Sequence, residues 1–313
     1  MLSLIRSTSF PVARSISPRN FSRTKTMATP ALVSTSWLAE NLNENKTVVL
    51  DGSWHMPNVN RDPKKEFLEK HLPGARFFGI DEIKDHSNHL PHMLPTPQVF
   101  ADSVGKLGID NEDHVVVYDV HGILSACRVW WTFKVFGHEK VSVLNGGMPK
   151  WLSENRAVES GEPKISAKKY ALPVLKNELV RSYEQIRANI QNGPNSPDFE
   201  LVLDARPEGR FHGTDPEPRP GLSSGHMPHS LSLPFQRVIK DGQLLEPEEL
   251  KTLFRDLLGK DPSDTRIVTS CGSGITASVL FLALEMVGAK HVALYDESWT
   301  GYAGRKESPI VKS

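Results

Sequence analysis

The feature that most restricts how this chain can fold is a degenerate internal repeat. Val48-Val49-Leu50-Asp51 recurs as Leu201-Val202-Leu203-Asp204, and Lys70-His71-Leu72-Pro73-Gly74 recurs as Gly225-His226-Met227-Pro228-His229. The stretch that begins after Thr96-Pro97 recurs after Glu246-Pro247. Val115-Val116-Val117-Tyr118-Asp119 returns as Ile267-Val268-Thr269-Ser270-Cys271, and Val141-Ser142-Val143-Leu144 as Val292-Ala293-Leu294-Tyr295. The offset stays between about 150 and 155 residues, a constancy that chance matches do not maintain. The 313 residues therefore read as two copies of one unit, each long enough to bury its own core.

Within each copy, short apolar runs alternate with stretches of helical periodicity. That is the pattern of an α/β unit: a mostly parallel sheet covered on both faces by helices. The first copy covers 30–155 and closes with a short helix from about Pro149. Residues 156–178 lack helical periodicity and carry Gly161, Pro163 and Pro173, so they read as a linker. The second copy covers 179–313, and its first helix opens at Ser182 as N-cap, with Gln185 completing a capping box.

Residues 1–26 stand apart. No acidic residue occurs from Met1 to Ala39, while Arg6, Arg14, Arg19, Arg23 and Lys25 are interspersed with serines, the composition of a mitochondrial transit peptide. A second methionine, Met27, precedes the first helical pattern, so a start there yields a cytosolic form as well. Elsewhere the charge is balanced: Lys plus Arg and Asp plus Glu each number 37, with no basic excess of the nucleic-acid-binding kind. The longest apolar runs are too short to cross a bilayer. Two cysteines, Cys127 and Cys271, argue against a disulfide framework and against a multi-cysteine metal site.

Chemistry concentrates at Cys271-Gly272-Ser273-Gly274-Ile275-Thr276. Arg266–Ser270 reads as a buried strand and Ala277–Leu284 as a helix, which puts the cysteine on the turn between them. Ligands gather at such carboxyl ends of parallel strands. A helix N-terminus also favours an anion there, and thiolate is the nucleophilic form of cysteine. Aligning Ser125-Ala126 with Thr276-Ala277 sets Val120 opposite Cys271, so the first copy has no equivalent thiol. A Cys-x5-Arg phosphatase needs arginine where Ala277 stands, and neither a P-loop lysine nor a Gly-x-Gly-x-x-Gly fingerprint is present. Papain-like and caspase-like cysteine signatures are absent too, which leaves sulfur transfer.

The tandem copies, the His-x-Pro turns and the Cys271–Ala277 run together resemble the rhodanese superfamily, and within it the mercaptopyruvate sulfurtransferase branch. Asp204-Ala205-Arg206, Gly209-Arg210-Phe211-His212-Gly213, Pro216-Glu217-Pro218-Arg219 and Arg128-Val129-Trp130-Trp131 carry the same likeness. The resemblance implies two tandem rhodanese-like domains, a persulfide on Cys271, and no metal or organic cofactor. It implies a small-molecule sulfur donor, bound by Arg210 and Arg219 with Gly272, Gly274, Ile275 and Thr276. The acceptor is a thiol such as thioredoxin or a low-molecular-weight thiol. Thiosulfate-specific relatives carry Arg and Lys directly after the cysteine, where this chain has Gly272 and Ser273, which favours 3-mercaptopyruvate as donor. Rhodanese proper, and a protein-to-protein persulfide carrier for tRNA thiolation, are the alternatives.

The resemblance further implies that Ser273 pairs with a histidine and an aspartate from the first copy, for which His71 and Asp62 are the candidates. The opposing reading is that His71 only shapes a corner, since His226 occupies the equivalent turn. Cys127 reads as a core thiol, His86, His89 and His92 as members of a polar loop, and Arg206 as an ion-pair partner. Glu297 stands where relatives have glycine, so a left-handed backbone at that site is expected to strain it.

Overall fold

Strands Leu32–Val33 (β1), Thr47–Asp51 (β2), Arg76–Phe77 (β3), His114–Tyr118 (β4) and Val141–Leu144 (β5) pair in parallel, in the order β1-β5-β4-β2-β3. Helices Thr35–Asn41 (α1), Pro63–Glu69 (α2), Pro97–Lys106 (α3), Ala126–Val135 (α4) and Gly147–Ser153 (α5) connect them. The second domain repeats the plan with Val180–Arg181 (β6), Leu201–Asp204 (β7), Leu231–Ser232 (β8), Arg266–Ser270 (β11) and His291–Tyr295 (β12), in the order β6-β12-β11-β7-β8. Between β8 and β11 an antiparallel pair, Ile239–Lys240 (β9) and Gln243–Leu244 (β10), is inserted. Its helices are Tyr183–Asn192 (α6), Glu208–His212 (α7), Pro247–Leu258 (α8), Ala277–Met286 (α9) and Ser298–Ala303 (α10). This computed structural model describes residues 29–42, 44 and 46–313, so the segment read as a transit peptide lies outside the described residues.

The strands are buried almost end to end because helices cover both faces of each sheet. Alternation along each strand then assigns every side chain to one of two layers. Leu50, Val115, Val117, Leu203 and Ile267 point into a cluster shared by both domains, with Phe100, Trp130, Phe254 and Phe281 of the covering helices. Val49, Val116, Leu144 and Trp151 fill the outer layer of the first domain, and Val202, Val268, Ala293 and Trp299 that of the second. The two sheets thus enclose one continuous layer of helices, in which α4 lies against α9 and Trp130 meets Phe281 edge-on, with centroids 6.0 Å apart.

Local signals match the helix ends. Thr96 caps α3, and Ser182 with Gln185 forms the capping box of α6. Residues 156–178 lie along the first domain: Glu159 bridges to His71, Lys168 pairs with Asp113 at 2.7 Å, and Tyr170 Oη meets His138 Nδ1 at 2.9 Å. The shared core predicts that Phe281→Ala, which empties an aromatic site 3% exposed, lowers the unfolding free energy in urea by about 3–5 kcal/mol. A loss under about 1 kcal/mol would show that α4 and α9 are not tightly packed.

Candidate active site

Cys271 follows the last residue of β11, at the carboxyl end of the central strand, and is 2% exposed. Gly274 adopts φ +84, and the turn it permits brings its backbone N–H to 3.1 Å from Cys271 Sγ. A Cβ at Gly274 would stand 2.5 Å from Arg128 Nη1 and 3.2 Å from the Asp296 carbonyl oxygen, so the turn has room for glycine alone. From the other side α10 grips the loop: Trp299 N–H donates to the Cys271 carbonyl at 2.9 Å, and Thr300 N–H and Oγ1 both donate to the Gly272 carbonyl.

The first domain's matching turn corrects one expectation from the sequence. Asp51 pairs with Tyr118 and Asp204 with Ser270, so the residues that follow, Asp119 and Cys271, are equivalent. The α5 contact agrees, because Met148 N–H donates to the Asp119 carbonyl as Trp299 does to that of Cys271. Asp119, not Val120, stands in the nucleophile's place; the first turn is one residue longer, which shifts a simple alignment. Its carboxylate accepts the N–H groups of His121 (2.8 Å), Leu124 (2.9 Å) and Ala126 (2.8 Å). A turn of this shape therefore holds an anion on backbone donors.

Cys271 opens into a cavity of about 530 Å³ between the domains, within the range of roughly 300–1,000 Å³ usual for small-ligand sites. Trp54, Met56, Asn58, Val59 and Leu124 wall it from the first domain, and Arg210, Arg219, Gly272, Ser273, Ile275 and Thr276 from the second. Gly274 is not on the wall; its contribution is the N–H on the sulfur. Glu217, 2% exposed, spans Arg206 and Arg210, while Arg206 also pairs with Asp204 at 2.7 Å and lies over the Trp299 ring. Among the described residues Arg219 has no carboxylate partner, and it donates to Ser273 Oγ at 3.2 Å. Burial lowers its pKa, the adjoining Arg210 acts the same way, and the Cys271 charge opposes both. Arg206 and Arg210 share the carboxylates of Asp204 and Glu217, which leaves Arg219 as the guanidinium without a carboxylate partner beside Cys271. A Cβ at Gly272 would lie 3.2 Å from Arg210 and 3.6 Å from Arg219, so the bare backbone lets both cations approach.

His71 and Asp62 are not brought to this cavity, which corrects the expectation that they join Ser273. His71 Nδ1 donates to the Phe67 carbonyl at 2.8 Å and its ring stacks on Phe67; His226 does the same with Phe211 at 2.9 Å. Both are corner residues of the repeat. Asp62 is the N-cap of α2, accepting from Lys64 and Lys65 N–H. A third histidine, His92, grouped with the polar loop by sequence, is buried and meets Trp54 of the cavity wall edge-on, with ring centroids 4.8 Å apart. Its Nδ1 is 2.7 Å from Asp81 Oδ1, and Trp54 Nε1 donates to the other Asp81 oxygen at 2.9 Å. Burial lowers the His92 pKa against the pull of Asp81, and the charges of Arg128 and Arg219 lower it further. His92 Nε2 is buried without a hydrogen-bond partner among the described residues. Arg128 fastens this loop to the second domain: it donates to the His92 carbonyl and pairs with Asp296 at 2.6 Å, while Leu94 N–H donates to Asp296 at 2.9 Å. The sequence held one weak signal of this, since the stretch between β3 and α3 is longer than its counterpart between β8 and α8. Cys127 is fully buried in α4, and burial pushes its thiol well up. Glu297 is unstrained at φ −66 and pairs with Arg305; the left-handed residue is its neighbour, Ser298.

The rhodanese-like domain model matches residues 34–154 and again 182–305. The chain belongs to the rhodanese family. This rhodanese is 47% identical to a probable 3-mercaptopyruvate sulfurtransferase of Schizosaccharomyces pombe, over 84% of this chain and 88% of the relative. It is 44% identical to a thiosulfate sulfurtransferase of Bos taurus, over 86% and 90%. Among solved structures it resembles the sulfur transferase subunit of yeast mitochondrial complex I, with TM-score 0.81 and 38% identity, covering 90% of this chain and 99% of that one. Identity alone thus leaves two donor chemistries among the relatives. The Gly274 geometry predicts that Gly274→Ala lowers stability to urea by about 1–3 kcal/mol, and alters the rate at which iodoacetamide labels Cys271. Wild-type stability in this variant would contradict the steric limit described above.

Proposed function

We propose that this protein moves sulfur from 3-mercaptopyruvate through a Cys271 persulfide to a thiol acceptor, releasing pyruvate. The observation that carries the reading is Arg219: a half-buried guanidinium without a carboxylate partner, hydrogen-bonded to Ser273 of the nucleophile's loop. A single carboxylate on the donor supplies the missing partner, which a guanidinium binds through two parallel N–H groups.

In this scheme the Cys271 thiolate attacks the donor sulfur, an S–S bond forms and the carbon–sulfur bond breaks. The bonding pair leaves on carbon as the enolate of pyruvate, which takes up a proton. Ser273, hydrogen-bonded to Arg219, relays the donor's thiol proton toward that carbon. The outer persulfide sulfur lies two bonds beyond Cβ, as the Asp119 carboxylate oxygens do. Backbone donors equivalent to those on Asp119 therefore stabilise it. An acceptor thiolate then attacks the outer sulfur and Cys271 leaves as thiolate, giving ping-pong kinetics. The acceptor is a dithiol such as thioredoxin or a low-molecular-weight thiol. A tRNA-thiolation protein is the alternative, for which persulfide would pass from Cys271 to a protein cysteine. The acid-free N-terminal segment and the mitochondrial relative support a mitochondrial location, with a cytosolic form from Met27.

Thiosulfate is the second donor reading, favoured by the bovine relative and opposed by the pairing of Arg206 and Arg210, which leaves a dianion one guanidinium without a carboxylate partner. Pyruvate release from 3-mercaptopyruvate is expected to vanish in Cys271→Ser. Arg219→Ala should raise KM roughly tenfold to a hundredfold, the worth of a hydrogen bond to a charged group. Activity surviving in Cys271→Ser would sink the mechanism, and a higher kcat/KM for thiosulfate would reverse the choice of donor.

A further inference from the structure

Ser298 is a non-glycine residue held at φ +50, wholly buried, directly behind the nucleophile. Its equivalent in the first domain is Gly147, also at φ +50: each precedes the residue whose N–H donates to the carbonyl of Asp119 or Cys271. There a Cβ would sit 2.5 Å from the Asp119 carbonyl oxygen, so the first copy admits glycine alone. The second copy keeps a side chain in a backbone conformation that disfavours one. Such strain persists where the surroundings hold it in place, and it concentrates at functional sites.

The hydroxyl shows what the side chain does. Ser298 Oγ donates to the Tyr295 carbonyl at 2.9 Å and accepts the Cys271 N–H at 3.3 Å. With one donor and spare lone pairs, the hydroxyl serves both bonds at once, which glycine and alanine cannot. Trp299 N–H holds the Cys271 carbonyl, so consecutive residues fasten both polar groups of the cysteine's backbone. That leaves the Gly274 N–H to meet the sulfur at 3.1 Å.

We infer that Ser298 is a positioning residue for sulfur transfer, and that its hydroxyl aims Cys271 Sγ by anchoring the nucleophile's own amide to the end of β12. The inference rests on the sulfurtransferase reading above. It separates two roles that the position combines: a left-handed turn, which glycine fulfils better, and an anchor, which only the hydroxyl provides.

Ser298→Gly and Ser298→Ala distinguish them. Each is loaded in a single turnover with 3-mercaptopyruvate and, separately, with thiosulfate, and Cys271 persulfide is read as the mass of one added sulfur. Steady-state kcat, KM and Tm are measured alongside. The expected result is that both variants load sulfur at least about fivefold more slowly, the worth of one hydrogen bond, with KM within twofold of wild type. Ser298→Gly should do so with Tm within about 4 °C of wild type or above it, because the turn is relaxed. Loading by Ser298→Gly at the wild-type rate overturns the inference, since the turn alone would then suffice; so does a change confined to KM. If wild type takes sulfur from neither donor, it is the sulfurtransferase reading that fails.

Discussion

The buried ion pair of Arg128 with Asp296 joins what the rest of the site depends on. Arg128 belongs to α4 of the first domain and Asp296 to the end of β12 in the second, and both side chains are almost wholly excluded from water. Two such charges are stable there only together, because removing either leaves the other buried without a partner, at about 3–5 kcal/mol. The pair also fixes more than itself. Arg128 holds the His92 carbonyl and crowds Gly274, while Asp296 takes the Leu94 N–H. One contact therefore sets the distance between the loop carrying His92 and Asp81 and the loop carrying Cys271.

The duplicated domain supplies its own comparison. One turn presents Asp119 to three backbone N–H groups, and the other presents Cys271 to an equivalent loop. The first copy thus sets a carboxylate where the second sets a thiol. The same contrast appears behind the turn, where Gly147 relaxes what Ser298 holds under strain. Glu217 absorbs much of the charge of Arg206 and Arg210, so the site presents one unpaired guanidinium rather than a broadly cationic basin.

Much of the fold was legible because its signals are local. Apolar runs bounded by polar turns located β2, β4, β7 and β11, and Ser182 with Gln185 announced α6. The repeat offset identified two copies, since each copy must present the same apolar faces to build the same sheet order. Cys271 stood out because it lies on the turn between a buried strand and a helix, whereas Arg210 and Arg219 were singled out by the family resemblance. His92 was not. Its partner Asp81 and its strap Arg128 come from separate segments, and its neighbours in sequence, His86 and His89, suggested only a polar loop. His71 misled because a corner histidine and a catalytic one look alike until the ring's partner is seen, and that partner is the Phe67 carbonyl.

The sequence by itself determined the two α/β copies and the place of Cys271 on the turn between a buried strand and a helix. These follow from periodicity and residue type, which act over a few positions along the chain. Only the tertiary structure decided between two alignments in favour of Asp119 over Val120 as the counterpart of Cys271, set His92 against Trp54 of the cavity wall and His71 on the Phe67 carbonyl, and made Ser298 rather than Glu297 the left-handed residue. Each of these depends on a one-residue register or on a contact between segments far apart in sequence. Packing of α4 against α9 and the burial of Arg128 with Asp296 set those relations, and no local pattern encodes them.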